Sequence, residues 1–178
     1  MITDEMKYPI GRFEKPETIE PHHIADWVDS IEALPLGINE VINGLTDEQL
    51  DWRYRPEGWT IRQLVHHVAD SHMNSFIRFK LALTEDTPSI KPYFENLWAL
   101  TADVQRSNIL DSIKIIEGLH ARWTVLLKNL KPAELKRGFF HPEYQCTFSV
   151  EEAIGMYAWH SNHHLAHIMR AVANDGAF

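Results

Sequence analysis

Cysteine is nearly absent from this chain: Cys146 stands alone, so no internal disulfide can form and a reducing compartment is the expectation. No run of about 18 apolar residues occurs. No apolar stretch follows a basic start, as it would in a secretory leader. These absences set the expectation of a cytoplasmic protein with no membrane partner. Basic runs are also missing, and the formal charge is −8 at pH 7 with histidine neutral, which argues against nucleic acid or an anionic membrane as the main partner. Internal repeats and low-complexity tracts are not found. At 178 residues the chain is expected to form one domain over 1–178, large enough to bury a core without a staple.

Alternating β-branched stretches are almost absent, and helical spacing takes their place. Residues 1–21 are polar, carry Pro9, Gly11 and Pro16, and are expected to form an N-terminal arm. Apolar residues from Ile24 to Ile42 predict a first long helix over about His23 to Asn43. Pro35 sits in its middle, where a missing N–H and a steric clash predict a kink or a break. Thr46 and Gln49 have the spacing of a capping box for a short helix, and Thr60 is placed to cap a second long one over Ile61 to about Leu83. Thr84 to about Ser107, with Pro88 and Pro92, is too long for a hairpin between adjacent helices and is expected to be a crossover loop. A third long helix spans about Asn108 to Leu130. Phe139 to Phe148 is a small hairpin or a loop. Ser149 with Glu152 caps the last helix, which ends near Asp175-Gly176. The expected fold class is therefore all-α, an antiparallel four-helix bundle with a long crossover between its second and third helices.

The last helix contains YAWHSNHHLAHIMR, which holds four of the eleven histidines. His160 and His164 lie four apart on one face, as do His163 and His167. At about 100° per residue, Val150, Ile154, Tyr157, Leu165, Ile168 and Val172 define the buried stripe, and His164 and His160 lie closest to it. His167 and His163 fall further round, so the expected inward pair is His160 and His164. Two imidazoles one turn apart can share one ion but hold it poorly, and a third ligand must come from elsewhere. The second helix offers His66, His67 and His72 in HHVADSH. Periodicity alone favours His72, which lies on the apolar stripe. His67, however, begins a polar row with Ser71, Asn74 and Arg78 along the flank, where Asn74 and Arg78 could reach an anionic or carbonyl group. Spacing leaves that choice open.

The stretches YRPEGWTIRQLVHHVADSHMNSFIRFKLALTEDTP, LHARWTVLL and YAWHSNHHLAHI resemble the YfiT branch of the DinB/YfiT family, with similarity from about Leu34 to Ile168. The resemblance implies a four-helix bundle, a homodimer, and one divalent metal per subunit, Zn²⁺ or Ni²⁺, held by three histidines. Carried onto this chain, those ligands are His67, His160 and His164. Tyr144-Gln145-Cys146 departs from the family by standing where a Gly-containing turn is expected. Six tryptophans, more than one bundle core needs, add to the expectation of a homodimer interface.

Three nitrogens leave a metal at least one open position, whereas closed structural sites use four ligands. The function implied is a metal-dependent hydrolase acting on a small molecule through an activated water. The alternatives are a low-molecular-weight-thiol S-transferase of the bacillithiol-transferase kind and a non-catalytic metal-binding stress-response bundle. A hydrolase needs a carboxylate as general base, and Asp70 and Glu95 are the candidates in motif terms. Asp70, Asn74 and Arg78 are the candidate catalytic side chains, none fixed by spacing.

Overall fold

A computed structural model describes residues 2–178. Its elements run α1 (Asp4–Lys7), α2 (Pro21–Ile42), α3 (Asp47–Leu50), α4 (Ile61–Thr84), α5 (Glu95–Trp98), α6 (Ala102–Arg106), α7 (Ile109–Lys128), α8 (Pro132–Leu135), β1 (Gly138–His141), β2 (Cys146–Ser149) and α9 (Val150–Ala173). The caps read from the sequence are formed: Thr46 with Gln49 and Ser149 with Glu152 make capping boxes, and Thr60 caps α4 and makes a further box with Gln63, each satisfying free N–H groups at a helix start. Among the described residues no helix is long and apolar enough to cross a membrane.

The bundle is built from α2, α4, α7 and α9. Both α2 and α4 pack on α7 and on α9, which places α2 and α4 on one diagonal of the square. Across α4 and α9 the contacts run in opposite senses, with His72 against His160 and His67 against His164. The same holds for α2 and α7, where Glu32 meets Lys128 and Asn39 meets Glu117. These two edges are antiparallel, as expected. Along α4 and α7, however, His66 meets Ser112, His72 meets His120 and Phe79 meets Trp123, so those helices run parallel. A parallel neighbour requires the chain to return along the bundle, and the crossover through α5 and α6 does this. Gln63 holds the Ala99 carbonyl at 3.0 Å beside the start of α4.

The core fills both halves of the bundle. Ile38, Ile61, Leu64, Ile116 and Ile168 close one end, and Ile31, Phe79, Trp123 and Ile154 the other. Fully burying such side chains contributes about 1.5–3 kcal/mol each.

One sequence expectation changes, and one left between two forms is decided. Pro35 does not break α2, which is continuous from Pro21 to Ile42. The missing N–H at residue 35 would leave the Ile31 carbonyl without its i+4 donor, and the Nδ1–H of His120 from α7 takes that place at 2.6 Å. The Phe139–Phe148 segment is a true hairpin, pairing Gly138 with Ser149 and His141 with Cys146. In the departure from the family's turn, Gln145 itself takes the left-handed conformation, φ 53°, that a glycine would adopt without strain.

Candidate metal centre and its cavity

Thr60 fixes the start of α4, so His67 points from its second turn toward α9. There His160 and His164 project from successive turns. The structure brings these three together: one nitrogen from each lies within 4.8 Å of the others. Ring centroids are 5.4 Å apart for His67 and His160, 4.8 Å for His67 and His164, and 4.4 Å for His160 and His164. Trp59 lies over His67 at 4.6 Å between centroids.

Burial pushes the His67 imidazole down to about 4, with His163 adding a smaller push. His160 and His164 are held well below the usual histidine value, first by burial and then by neighbouring histidines. All three are therefore neutral near pH 7, and each can offer a lone pair. Three neutral imidazoles with no carboxylate among them form a donor set that suits Zn²⁺ or Ni²⁺ and not Mg²⁺ or Ca²⁺.

A second trio, His163, His164 and His167, also converges within 4.8 Å. The Nδ1 atoms of all three are buried without a hydrogen-bond partner. Burial first, then His163, and more weakly the Arg55 and Arg170 guanidiniums bring His167 down to about 3. The Arg55 and Arg170 guanidiniums weigh against a cation at His167.

The burial of His163 and His167 corrects the helical-wheel reading that placed them further from the core than His160. The N-terminal arm and Tyr54, from the connection between α3 and α4, supply the cover. The Lys7 carbonyl accepts from His167 Nε2 at 3.1 Å, Tyr8 lies 5.9 Å from His163, and Tyr54 stacks on His167 at 3.8 Å. A wheel drawn for four long helices has no term for a polar arm.

A cavity of about 390 Å³ opens over the first trio. Arg78, Ser71, Glu95 and Tyr157 line it with the histidines, and Tyr93, Tyr144, Phe148 and Trp159 form aromatic walls. The guanidinium of Arg78 reaches the Tyr157 hydroxyl and the Lys91 carbonyl only at 3.5 Å, so most of its donor capacity is unspent. Asp70 and Asn74 do not line this cavity. The Asp70 carboxyl is raised to about 6 by burial and then by Asp103 of α6, on another side of α4. Asn74 donates to the Asp70 backbone carbonyl at 2.8 Å, within its own helix. Of the sequence candidates, Arg78 and Glu95 therefore share the cavity with the histidines.

Sequence reasoning missed His141, Tyr93 and Tyr144. His141 comes from β1 with a buried, unpartnered Nδ1, and Tyr93 from the crossover. The density of aromatics in those two connections was the available signal, but no spacing rule ties a loop residue to a helix face.

The chain is similar to known proteins over most of its length. The sequence profile described as the DinB superfamily matches residues 32–168. YfiT of Bacillus subtilis (strain 168) is 45% identical over 168 residues, 94% of each chain. A protein of Oceanobacillus iheyensis is 49% identical over 162 residues, 91% of this chain and 93% of that one. Both relatives are named for metal-dependent hydrolysis. The solved structure of YfiT from Bacillus subtilis, described as "a probable metal-dependent hydrolase with an unusual four-helix bundle topology", superposes with a TM-score of 0.93 at 43% identity, over 98% of this chain and 99% of that one.

Proposed function

The chain belongs to the DinB superfamily, and from that premise we propose that it is a metal-dependent hydrolase of a small molecule, with His67, His160 and His164 holding one Zn²⁺ or Ni²⁺ per subunit. The observation that carries this reading is the convergence of three neutral imidazoles, His67 and His164 buried and His160 half-buried, on the wall of a cavity. A divalent ion there supplies Lewis acidity and lowers the pKa of a water ligand toward neutrality.

The remaining work falls to side chains of this chain. Trp59 and the aromatic walls shield the floor from bulk water, which strengthens every charge interaction inside. Arg78, with its donors unspent, binds and orients a carbonyl, carboxylate or phosphoryl oxygen of the substrate. Of the two carboxylates named from the sequence, Glu95 takes the role of general base because it lines the cavity with the histidines, as Glu143 also does, whereas Asp70 does not line it.

The test is a turnover screen of Zn²⁺- and Ni²⁺-loaded protein against esters, amides and thiol-plus-electrophile pairs. Hydrolysis of an ester or amide is the expected outcome. Turnover confined to thiol pairs would replace this reading with an S-transferase, and retained metal without turnover would leave a metal-binding bundle. On the substrate found, Glu95→Gln is expected to lower kcat by about 10²–10⁴-fold with metal content unchanged. Arg78→Met is expected to raise KM on the order of 10–100-fold.

We further propose that two copies associate. Phe94, Leu97, Trp98 and Leu100 of the crossover expose apolar surface that a partner could cover. Sedimentation is expected to give about twice 20.7 kDa; a species of 20.7 kDa alone at micromolar concentration would refute association.

A further inference from the structure

The least exposed histidine, His72, is fully buried, and neither the metal site nor the substrate cavity uses it. It lies in a continuous line of contacts. His120 Nδ1 is 2.6 Å from the Ile31 carbonyl oxygen. His72 Nδ1 is 2.8 Å from His120 Nε2, and His72 Nε2 is 3.0 Å from His160 Nδ1. The line begins where Pro35 leaves Ile31 without a helical N–H, and it ends on a residue of the metal trio.

The proton positions follow from the ends. A carbonyl only accepts, so His120 Nδ1 carries the proton and donates to Ile31. A neutral His120 then has a lone pair at Nε2 and must accept from His72 Nδ1–H. Neutral His72 accepts in turn at Nε2, so His160 Nδ1 carries a proton and its Nε2 keeps a bare lone pair. Neutrality is enforced by position, since both His72 and His120 lie inside the bundle against Trp123. Because the line terminates at a backbone carbonyl and not at solvent, it cannot carry a proton away. What it can do is hold one tautomer and one ring orientation.

We propose that His72 and His120, anchored on the carbonyl that Pro35 leaves unpaired, are positioning residues that lock His160 as the Nδ1–H tautomer and so present its Nε2 to the metal. The metal half of this statement rests on the reading of His67, His160 and His164 as ligands; the tautomer half does not.

The test uses ¹⁵N-labelled, metal-free protein and long-range ¹H–¹⁵N correlation of the imidazoles at pH 7.5. Expected are protonated Nδ1 and unprotonated Nε2 on His120, His72 and His160. A wild-type His160 with its proton on Nε2 overturns the proposal without any variant. His120→Phe, which cuts the line at its second member, is expected to leave His160 as a mixture of tautomers. It is also expected to weaken Zn²⁺ binding by about 10–100-fold while one Zn²⁺ per chain still binds at saturation, the usual cost of losing an outer-shell partner. If His67→Ala abolishes Zn²⁺ binding and His120→Phe leaves it as tight as in wild type, the ligand reading stands and the positioning role is overturned. If wild type binds neither Zn²⁺ nor Ni²⁺, the ligand reading fails, and the tautomer of His160 still decides the line.

Discussion

Alanine at His67, His160 or His164 is expected to leave protein that retains almost no metal after exhaustive dialysis, against about one ion per chain for wild type. Each change removes one of three bonds, and two imidazoles one turn apart, or one from each helix, hold a borderline ion weakly. The loss should exceed the roughly 10–100-fold that outer partners control. His163→Ala is the matched control: it comes from the same helix as His160 and His164 and is as buried as His164, but it belongs only to the second trio. Elemental analysis of the four variants beside wild type checks this. Metal retained in His67→Ala and lost in His163→Ala would move the site to the second trio.

The metal-free protein is expected to lose stability steeply as pH falls from 6.5 toward 4. Burial holds His67, His120 and His163 at about 4 and His167 at about 3 in the folded state. Above about 6.5 these side chains are neutral in both folded and unfolded chains, and they contribute no pH dependence. Below it the unfolded chain takes up protons that the folded chain refuses, so the unfolded state is favoured by about 1.4 kcal/mol per pH unit for each histidine. Four such groups give a slope on the order of 5 kcal/mol per pH unit, enough to consume the 5–15 kcal/mol typical of a domain near pH 5. Asp70 acts in the opposite sense, because its raised value favours proton uptake by the folded state, but it is one group against four. Thermal melts by circular dichroism should therefore fall by roughly 10–20 °C per pH unit below 6.5. A melting temperature that is flat between pH 7 and 5 would show that the buried histidines are not desolvated as described. Bound metal should blunt the effect, since coordination excludes the proton.

Much of the fold is legible in the sequence because its signals are local. Thr46, Thr60 and Ser149 each place a hydroxyl three residues before an acceptor side chain, and all three helix starts fall there. The length from Thr84 to Ser107 announces a crossover, although not that it makes α4 and α7 parallel, since that depends on where the crossover lands. What local patterns miss is what a distant segment supplies. Pro35 reads as a kink or a break because its own helix cannot satisfy Ile31, and His120, 89 positions away in sequence, does so. His163 and His167 read as outer residues because the arm that covers them has no period. His72 reads as a buried histidine, and it is one. Its two ring nitrogens, however, face histidines from two other helices, which no single helix can reveal.

The most direct measurement is anomalous diffraction from crystals of the Zn²⁺-loaded protein, recorded on both sides of the zinc edge. The strongest edge-dependent peak is expected about 2.0–2.1 Å from one nitrogen each of His67, His160 and His164, with the His160 bond made through Nε2. A peak bonded instead to His72, or to His163 and His167 without His67, would contradict the assignment of the metal centre.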